Sequence, residues 1–279
     1  MADAFGSINL ETYPVHQPGP VLQAAIDNAR RQLAKDGCAV LKGFLSPAGV
    51  AAMAAEAEGV ADKAHRSFNR TNPYFTKPDP NETEDHPRNR FFERSNAFIP
   101  ADNFTKGGPL RQVHDFEGFD EFIRQCLQED KFFRYADPLA DAIVNAADEG
   151  NGFPWHFDTN NFTVTLAIQN AESGGAFEYA PNIRAGDENF DEVRRVLTGT
   201  SEKVVQLNLQ PGDLQLFRGR YSLHRVAPLS GSRPRYVAIL SYVDLPDMVG
   251  TPERCTQLYG RALPIHYERA GRRADAFID

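Results

Sequence analysis

The sequence predicts one α+β domain, with helices first and strands after. Three observations carry this. A helical apolar period dominates the first part of the chain, the period changes to two from about residue 153, and no repeat, low-complexity tract or linker separates the two regions. The 279 residues are ample for a sizeable core, and one enlarged domain is favoured over two independent ones. Within it, residues 1–150 read as a helical and loop part. Residues 151–245 read as the strand-rich core, and 246–279 as a C-terminal extension.

The elements follow in order. Leu22, Ile26, Ala29 and Leu33 fall on one face of a helix over 20–36, and Gly37 stands where it would stop. Cys38-Ala39-Val40-Leu41 is a short apolar strand. Ser46-Pro47 supplies an N-cap and a first-turn proline for a second helix, with Val50, Met53, Ala54, Ala57 and Ala61 on one side. Residues 66–116 are broken by six prolines and read as long loop with short strands, a length that points to a pocket wall or lid. Phe119, Phe122, Ile123, Cys126 and Leu127 make an apolar helical stripe. Asp137-Pro138 is expected to open a further helix to about Ala147. Strands are then expected at Thr163–Gln169, Val205–Leu209, Leu214–Phe217, around His224, and from Arg235 to Val243. Gly174-Gly175 and Pro211-Gly212-Asp213 mark turns between them.

Composition narrows the function. The formal net charge of −8 argues against nucleic acid bound over a broad basic face. The N-terminus has neither a basic start nor an apolar run, and no stretch approaches the ~20 apolar residues of a membrane span, so a cytoplasmic protein without a membrane partner is expected. Cys38, Cys126 and Cys255 are odd in number and far apart. They suit neither a zinc site nor a disulfide framework, and read as small buried hydrophobes. Twenty Phe and nine Tyr suit a β-rich core with an enclosed pocket.

The chemistry centres on Trp155-His156-Phe157-Asp158. In an extended chain residues i and i+2 project to the same side, so His156 and Asp158 present an imidazole and a carboxylate to one point. One further His completes a two-His-one-carboxylate face, which leaves positions open on Fe(II) for a 2-oxo acid and O2. Beyond residue 158 only His224 and His266 remain, and His224 lies in the strand-like Leu223-His224-Arg225-Val226. A turn over 228–232 follows. If it joins two strands of a hairpin, Arg235 lies nearly opposite His224 and brings a guanidinium to the metal's neighbourhood, where it would pair with the distal carboxylate of 2-oxoglutarate. Arg233 competes, but Pro234 places it at the turn's edge.

The spacing His156-x-Asp158, His224, Arg235 resembles the Fe(II)/2-oxoglutarate-dependent oxygenases over about residues 150–245. That resemblance implies a double-stranded β-helix, a jelly-roll or cupin-like core with the N-terminal helices packed on it. It also implies Fe(II), 2-oxoglutarate and O2 as cofactor and cosubstrates. The segments Trp155–Phe162, Gly174–Arg184 and Leu216–Pro228 more specifically resemble the free-amino-acid radical halogenases and their lysine hydroxylase relatives. The halogenases of that group carry Gly where Asp158 stands, which frees a site for halide. The resemblance therefore implies a hydroxylase acting on an unactivated C–H of a small polar molecule, an amino acid being the expected substrate. A desaturase or cyclase using the same iron is the alternative, and a non-catalytic cupin-like sensor a more distant one.

Supporting roles follow from the same reading. Thr165 points inward if a turn interrupts the chain at 159–161, and would then bond the 2-oxoglutarate carboxylate. Arg88, Arg90 and Arg94 crowd the long loop, and Arg94 is the candidate for a substrate carboxylate, with Asn161 as a second substrate contact. Trp155 is assigned to the core. His16, His65, His86 and His114 are read as surface or loop residues.

Overall fold

Local signals set the first elements. In this computed structural model, which describes residues 6–270, α1 (Pro20–Asp36) buries Leu22, Ile26, Ala29 and Leu33. It ends at Gly37, whose φ of 64° is the left-handed conformation glycine adopts without penalty. β1 (Cys38–Leu41) follows, and then α2 (Pro47–Gly59), where the Ser46 hydroxyl accepts from the Gly49 N–H at 3.0 Å. The long proline-rich segment contains β2 (His65–Thr71) and β3 (Phe92–Ile99), paired antiparallel around a 20-residue loop, and then α3 (Pro109–His114). α4 (Phe119–Leu127) buries its whole apolar stripe.

The remaining elements are β4 (Phe133–Arg134), β5 (Ala142–Ala147), β6 (Phe153–His156), β7 (Thr163–Gln169), β8 (Ser173–Gly174), β9 (Phe177–Ala180), α5 (Phe190–Leu197), β10 (Val205–Leu207), β11 (Leu214–Phe217), β12 (Leu223–Val226), β13 (Leu229–Ser230), β14 (Arg235–Leu240), β15 (Tyr242–Val243), α6 (Pro252–Tyr259) and α7 (Pro264–Glu268). Among the described residues, a seven-stranded sheet runs β1-β11-β7-β14-β5-β3-β2 and a four-stranded sheet runs β10-β9-β12-β6. All their pairings are antiparallel. This is the expected α+β class with a double-stranded β-helix core.

The period of two explains how the large sheet serves two purposes. Val164, Leu166 and Ile168 of β7, Leu214 and Leu216 of β11, and Tyr236, Ala238 and Leu240 of β14 join the main core with the buried faces of α1, α2 and α4. The alternate residues Thr163, Thr165, Gln215, Phe217, Arg235, Val237 and Ile239 line a cavity of about 730 Å³. The small sheet closes its other side through Phe153, His156, Phe177, His224 and Val226.

Three expectations need correction. The helix expected over 137–147 is a single turn at Asp137 followed by β5. Ile143 and Val144 suit a strand, and β5 pairs on both edges, with β14 and β3, so sheet pairing overrides the Ala-rich helical pattern. Residue 150 does not divide helices from sheet, because β1, β2, β3 and β5 supply four of the seven strands of the large sheet. His114 is buried at the end of α3 rather than on the surface or in a loop, whereas His86 lies in the loop as expected, though buried there. The three cysteines are free and buried, as expected. Among the described residues no helix is long and apolar enough to cross a membrane. The chain ends 1–5 and 271–279, included in the single-domain reading, lie outside the described residues.

Candidate metal centre

Extended backbone continues past β6. The Phe157 N–H donates to the Pro73 carbonyl at 2.8 Å and the Asp158 N–H to the Gly219 carbonyl at 3.1 Å. Side chains therefore alternate as the sequence requires. Trp155 and Phe157 turn into a core cluster with Tyr74 and Val193, whereas His156 and Asp158 turn into the cavity. Trp155 is thus a core residue, with the Arg225 guanidinium 4.8 Å over its ring.

β12 lies beside β6, and His224 is the register partner of His156, with ring centroids 4.0 Å apart. Each imidazole turns Nδ1 onto a carbonyl two residues upstream: His156 to Pro154 at 2.8 Å, His224 to Ser222 at 2.9 Å. A proton on Nδ1 satisfies each bond, and Nε2 is left as a lone-pair donor. Both Nε2 atoms face Asp158 Oδ1, at 3.5 and 3.3 Å. One ligand atom from each of the three residues lies within 4.8 Å of the others. A first-row ion with bonds of about 2.1 Å draws such atoms to about 3 Å apart, so the donor set fits one ion with little movement.

Electrostatics prepare His156 and Asp158. Burial, and then the neighbouring His224, push the His156 imidazole down to about 4, so it is neutral at neutral pH. Burial alone would raise the Asp158 carboxyl, but His224 and His156 outweigh it and hold it well below the ordinary range. Its Oδ2 accepts a 2.5 Å bond from the Thr163 hydroxyl.

Arg235 reaches the cavity by a route other than the one expected. β12 and β14 form no hairpin. They belong to different sheets, and the intervening turn pairs β13 with β8 instead. The reason is that both edges of β12 are taken, by β9 and β6. Arg235 and His224 line one cavity from opposite walls. Arg235 is 7% exposed and has no hydrogen-bond or ion-pair partner among the described residues. Burial pushes its guanidinium down to about 10, still charged at neutral pH. Left-handed Gly175 makes room for it, since a Cβ there would lie 3.2 Å from Arg235 Cδ. Arg233 instead donates to the Ala171 carbonyl at the turn.

Other candidates divide. Thr165 lines the cavity, its hydroxyl 3.1 Å from Gln215 Oε1. Arg94 lines it too, 4.1 Å above the Phe153 ring, and Phe153 in turn stacks on His156 with centroids 3.9 Å apart. Arg88 packs over Phe190 and pairs with Asp79. Asn161 is exposed and not on the cavity wall; the bends at 159–161 put Thr159 and Asn160 there instead. Sequence reasoning missed Thr163, Gln215 and Asn160. Period-two spacing from Thr165 marks Thr163, but Gln215 depends on strand pairing that the sequence does not print.

A second cluster, Asp137, Cys255 and His266, also brings three possible ligands together. Its donors are spent. His266 Nδ1 accepts from the Leu263 N–H at 2.8 Å, so Nε2 carries the proton and donates to Asp137 Oδ1 at 3.1 Å. Asp137 also accepts from the Leu139 and Gly250 N–H groups, each at 2.8 Å. Burial, and then Asp137, push the Cys255 thiol up to about 12. This group ties loops and helices together and offers a metal nothing.

The family model described as HalD, halogenase D, matches residues 21–254. The chain belongs to the halogenase D family. No curated protein matches the sequence. Among solved structures, this halogenase D family member resembles the α-ketoglutarate-dependent epimerase SnoN of nogalamycin biosynthesis, at 13% identity and a TM-score of 0.56, with 80% of this chain and 83% of that one covered. The carbocyclase SnoK of the same biosynthesis matches at 14% identity and TM-score 0.53, covering 77% and 83%. A prolyl hydroxylase from Trichoplax adhaerens matches at 16% identity and TM-score 0.51, covering 82% and 95%. SnoN has also been solved with Fe3+ and α-ketoglutarate. At these identities the likeness establishes the fold, which is that of the iron- and 2-oxoglutarate-dependent oxygenases.

Proposed function

We propose that this protein is an Fe(II)- and 2-oxoglutarate-dependent oxygenase that hydroxylates an unactivated C–H of a small polar substrate, a free amino acid foremost. One observation carries the reading. Two lone-pair Nε2 atoms, a carboxylate oxygen and a buried, partnerless guanidinium line one cavity. His156, Asp158 and His224 would hold the iron. Arg235 would pair with the distal carboxylate of 2-oxoglutarate, and Thr165 would offer a hydroxyl to the same cosubstrate. Iron and 2-oxoglutarate, when bound, would together activate O2, the oxidant for C–H cleavage. The protein's part is to orient the cosubstrate through Arg235 and to keep both imidazoles turned inward through the Pro154 and Ser222 carbonyls.

Asp158 supports hydroxylation over halogenation within the halogenase D family, because its carboxylate fills the place that a halide would need. Arg94, held over Phe153 on the cavity wall, supports a substrate with a carboxylate. The cavity of about 730 Å³ has room for an amino acid beside the cosubstrate. The epimerase and carbocyclase neighbours show that this fold is not tied to one reaction. A desaturating or ring-forming outcome is therefore the second reading. Incubation with free amino acids, Fe(II), ascorbate and 2-oxoglutarate tests both. A gain of one oxygen supports hydroxylation, a loss of two hydrogens supports the second reading, and no substrate-stimulated succinate counts against catalysis.

A further inference from the structure

Asp158 is gripped on the side away from the histidines. Thr163, the first residue of β7, donates its hydroxyl to Oδ2 at 2.5 Å, while Oδ1 faces the two Nε2 atoms. Gly219 approaches the same outer oxygen. A Cβ on Gly219 would fall 1.8 Å from Asp158 Oδ2, 2.5 Å from Cγ and 2.8 Å from Cβ. Its φ is not left-handed, so close approach alone requires glycine here. The backbone has little freedom to withdraw. The Gly219 carbonyl accepts from the Asp158 N–H at 3.1 Å, and the Arg218 N–H donates to the Gly37 carbonyl at 2.8 Å. The first link ties the β11–β12 loop to the segment that carries Asp158, and the second ties it to the junction of α1 and β1.

We infer that Thr163 and Gly219 are positioning residues that hold the Asp158 carboxylate in one orientation, with Oδ2 engaged and Oδ1 alone offered to the metal. The inference rests on the proposed iron site. It goes beyond it in making the carboxylate ligand the work of three residues: the aspartate, a hydroxyl that occupies its outer oxygen, and a glycine that leaves it room. Thr163 serves this role through a hydroxyl, so serine should replace it and valine should not. Gly219 serves it by lacking a side chain, so alanine there should displace the carboxylate.

Titration of the metal-free protein with Co(II), read by dissociation constant and by the visible absorption of the bound ion, provides the test. Thr163→Val should weaken Co(II) binding by roughly 10–100-fold and change the spectrum, the size expected when a ligand's hydrogen-bond partner is lost. Thr163→Ser should restore both. Gly219→Ala should bind no better than Asp158→Ala, and adding Gly219→Ala to Asp158→Ala should cost nothing further, because both act on the same ligand. Melting of the metal-free variants identifies any that fail to fold, and the Thr163 pair decides if Gly219→Ala is one of them. Wild-type affinity and spectrum in Thr163→Val, or losses that add between Asp158→Ala and Gly219→Ala, would overturn the inference. A wild-type protein that binds no Co(II), or a His224→Ala variant that still binds it, would instead overturn the iron site and this inference with it.

Discussion

His156 and His224 are register partners on β6 and β12, and each holds its Nδ1 on a carbonyl two residues upstream. This repeated i−2 bond aims both imidazoles at one point without help from a distant residue. Truncating either removes a donor that no other described side chain can replace, since His266 is committed to Asp137. His224→Ala should abolish Fe(II)-dependent turnover of 2-oxoglutarate and leave the fold intact. Succinate release at near-wild-type rate from a folded variant would sink the assignment.

Arg235 is a buried cation on the cavity wall, with no hydrogen-bond or ion-pair partner among the described residues. A dicarboxylate that pairs with it should bind the folded state alone and raise the melting temperature, by about 2.7 kcal/mol of stability at a hundredfold excess over its dissociation constant. Arg235→Gln should lose most of that gain and raise the KM for 2-oxoglutarate strongly. Burial lowers the guanidinium to about 10, so the pairing should be present at neutral pH and weaken only as pH rises past that value. An unchanged KM in Arg235→Gln would point to Arg233, and a KM that rises between pH 6 and 8 would contradict the role of a permanent cation.

Asp158 carries the proposed choice of hydroxylation over halogenation. Asp158→Gly removes one of the three proposed ligands and takes away the carboxylate that Thr163 bonds. Hydroxylation should fall to background. Weak chlorination in added chloride is not the expected outcome, since a halide also needs groups to hold it. Substrate mass spectra with and without chloride distinguish the cases, and hydroxylation persisting in Asp158→Gly would show that the carboxylate is no ligand.

The cluster of His156, Asp158 and His224 is legible in the sequence because its signals are local or few. His156-x-Asp158 needs only extended backbone, and His224 was the strand-borne histidine of two remaining. Arg235 was identified by way of a hairpin that does not exist. Its true position follows from non-local pairing, which places β14 between β7 and β5. The same cause hid β5, whose alanines suit a helix until two neighbouring strands claim its backbone. Asn161 fell one residue wide of the wall because the bends at 159–161 break the alternation. Gly219 was beyond reach altogether: its requirement arises from an approach between residues 61 apart in sequence.

Asp137 carries the last prediction, and here the expected effect is on stability alone. It is fully buried and accepts from Leu139, Gly250, Cys255 and His266. Asp137→Ala takes away the buried acceptor of these donors, at about 1–3 kcal/mol for each of Leu139, Gly250 and His266. Even the lower figure, summed, is a large share of the stability of an ordinary domain. The urea midpoint should therefore fall sharply. Co(II) affinity at the His156 site should not change in protein that remains folded, because this cluster supplies no ligand. An unchanged midpoint would mean that Asp137 is not the tie it resembles. Lost Co(II) binding in folded protein would mean that this cluster, and not the triad on β6 and β12, holds the metal.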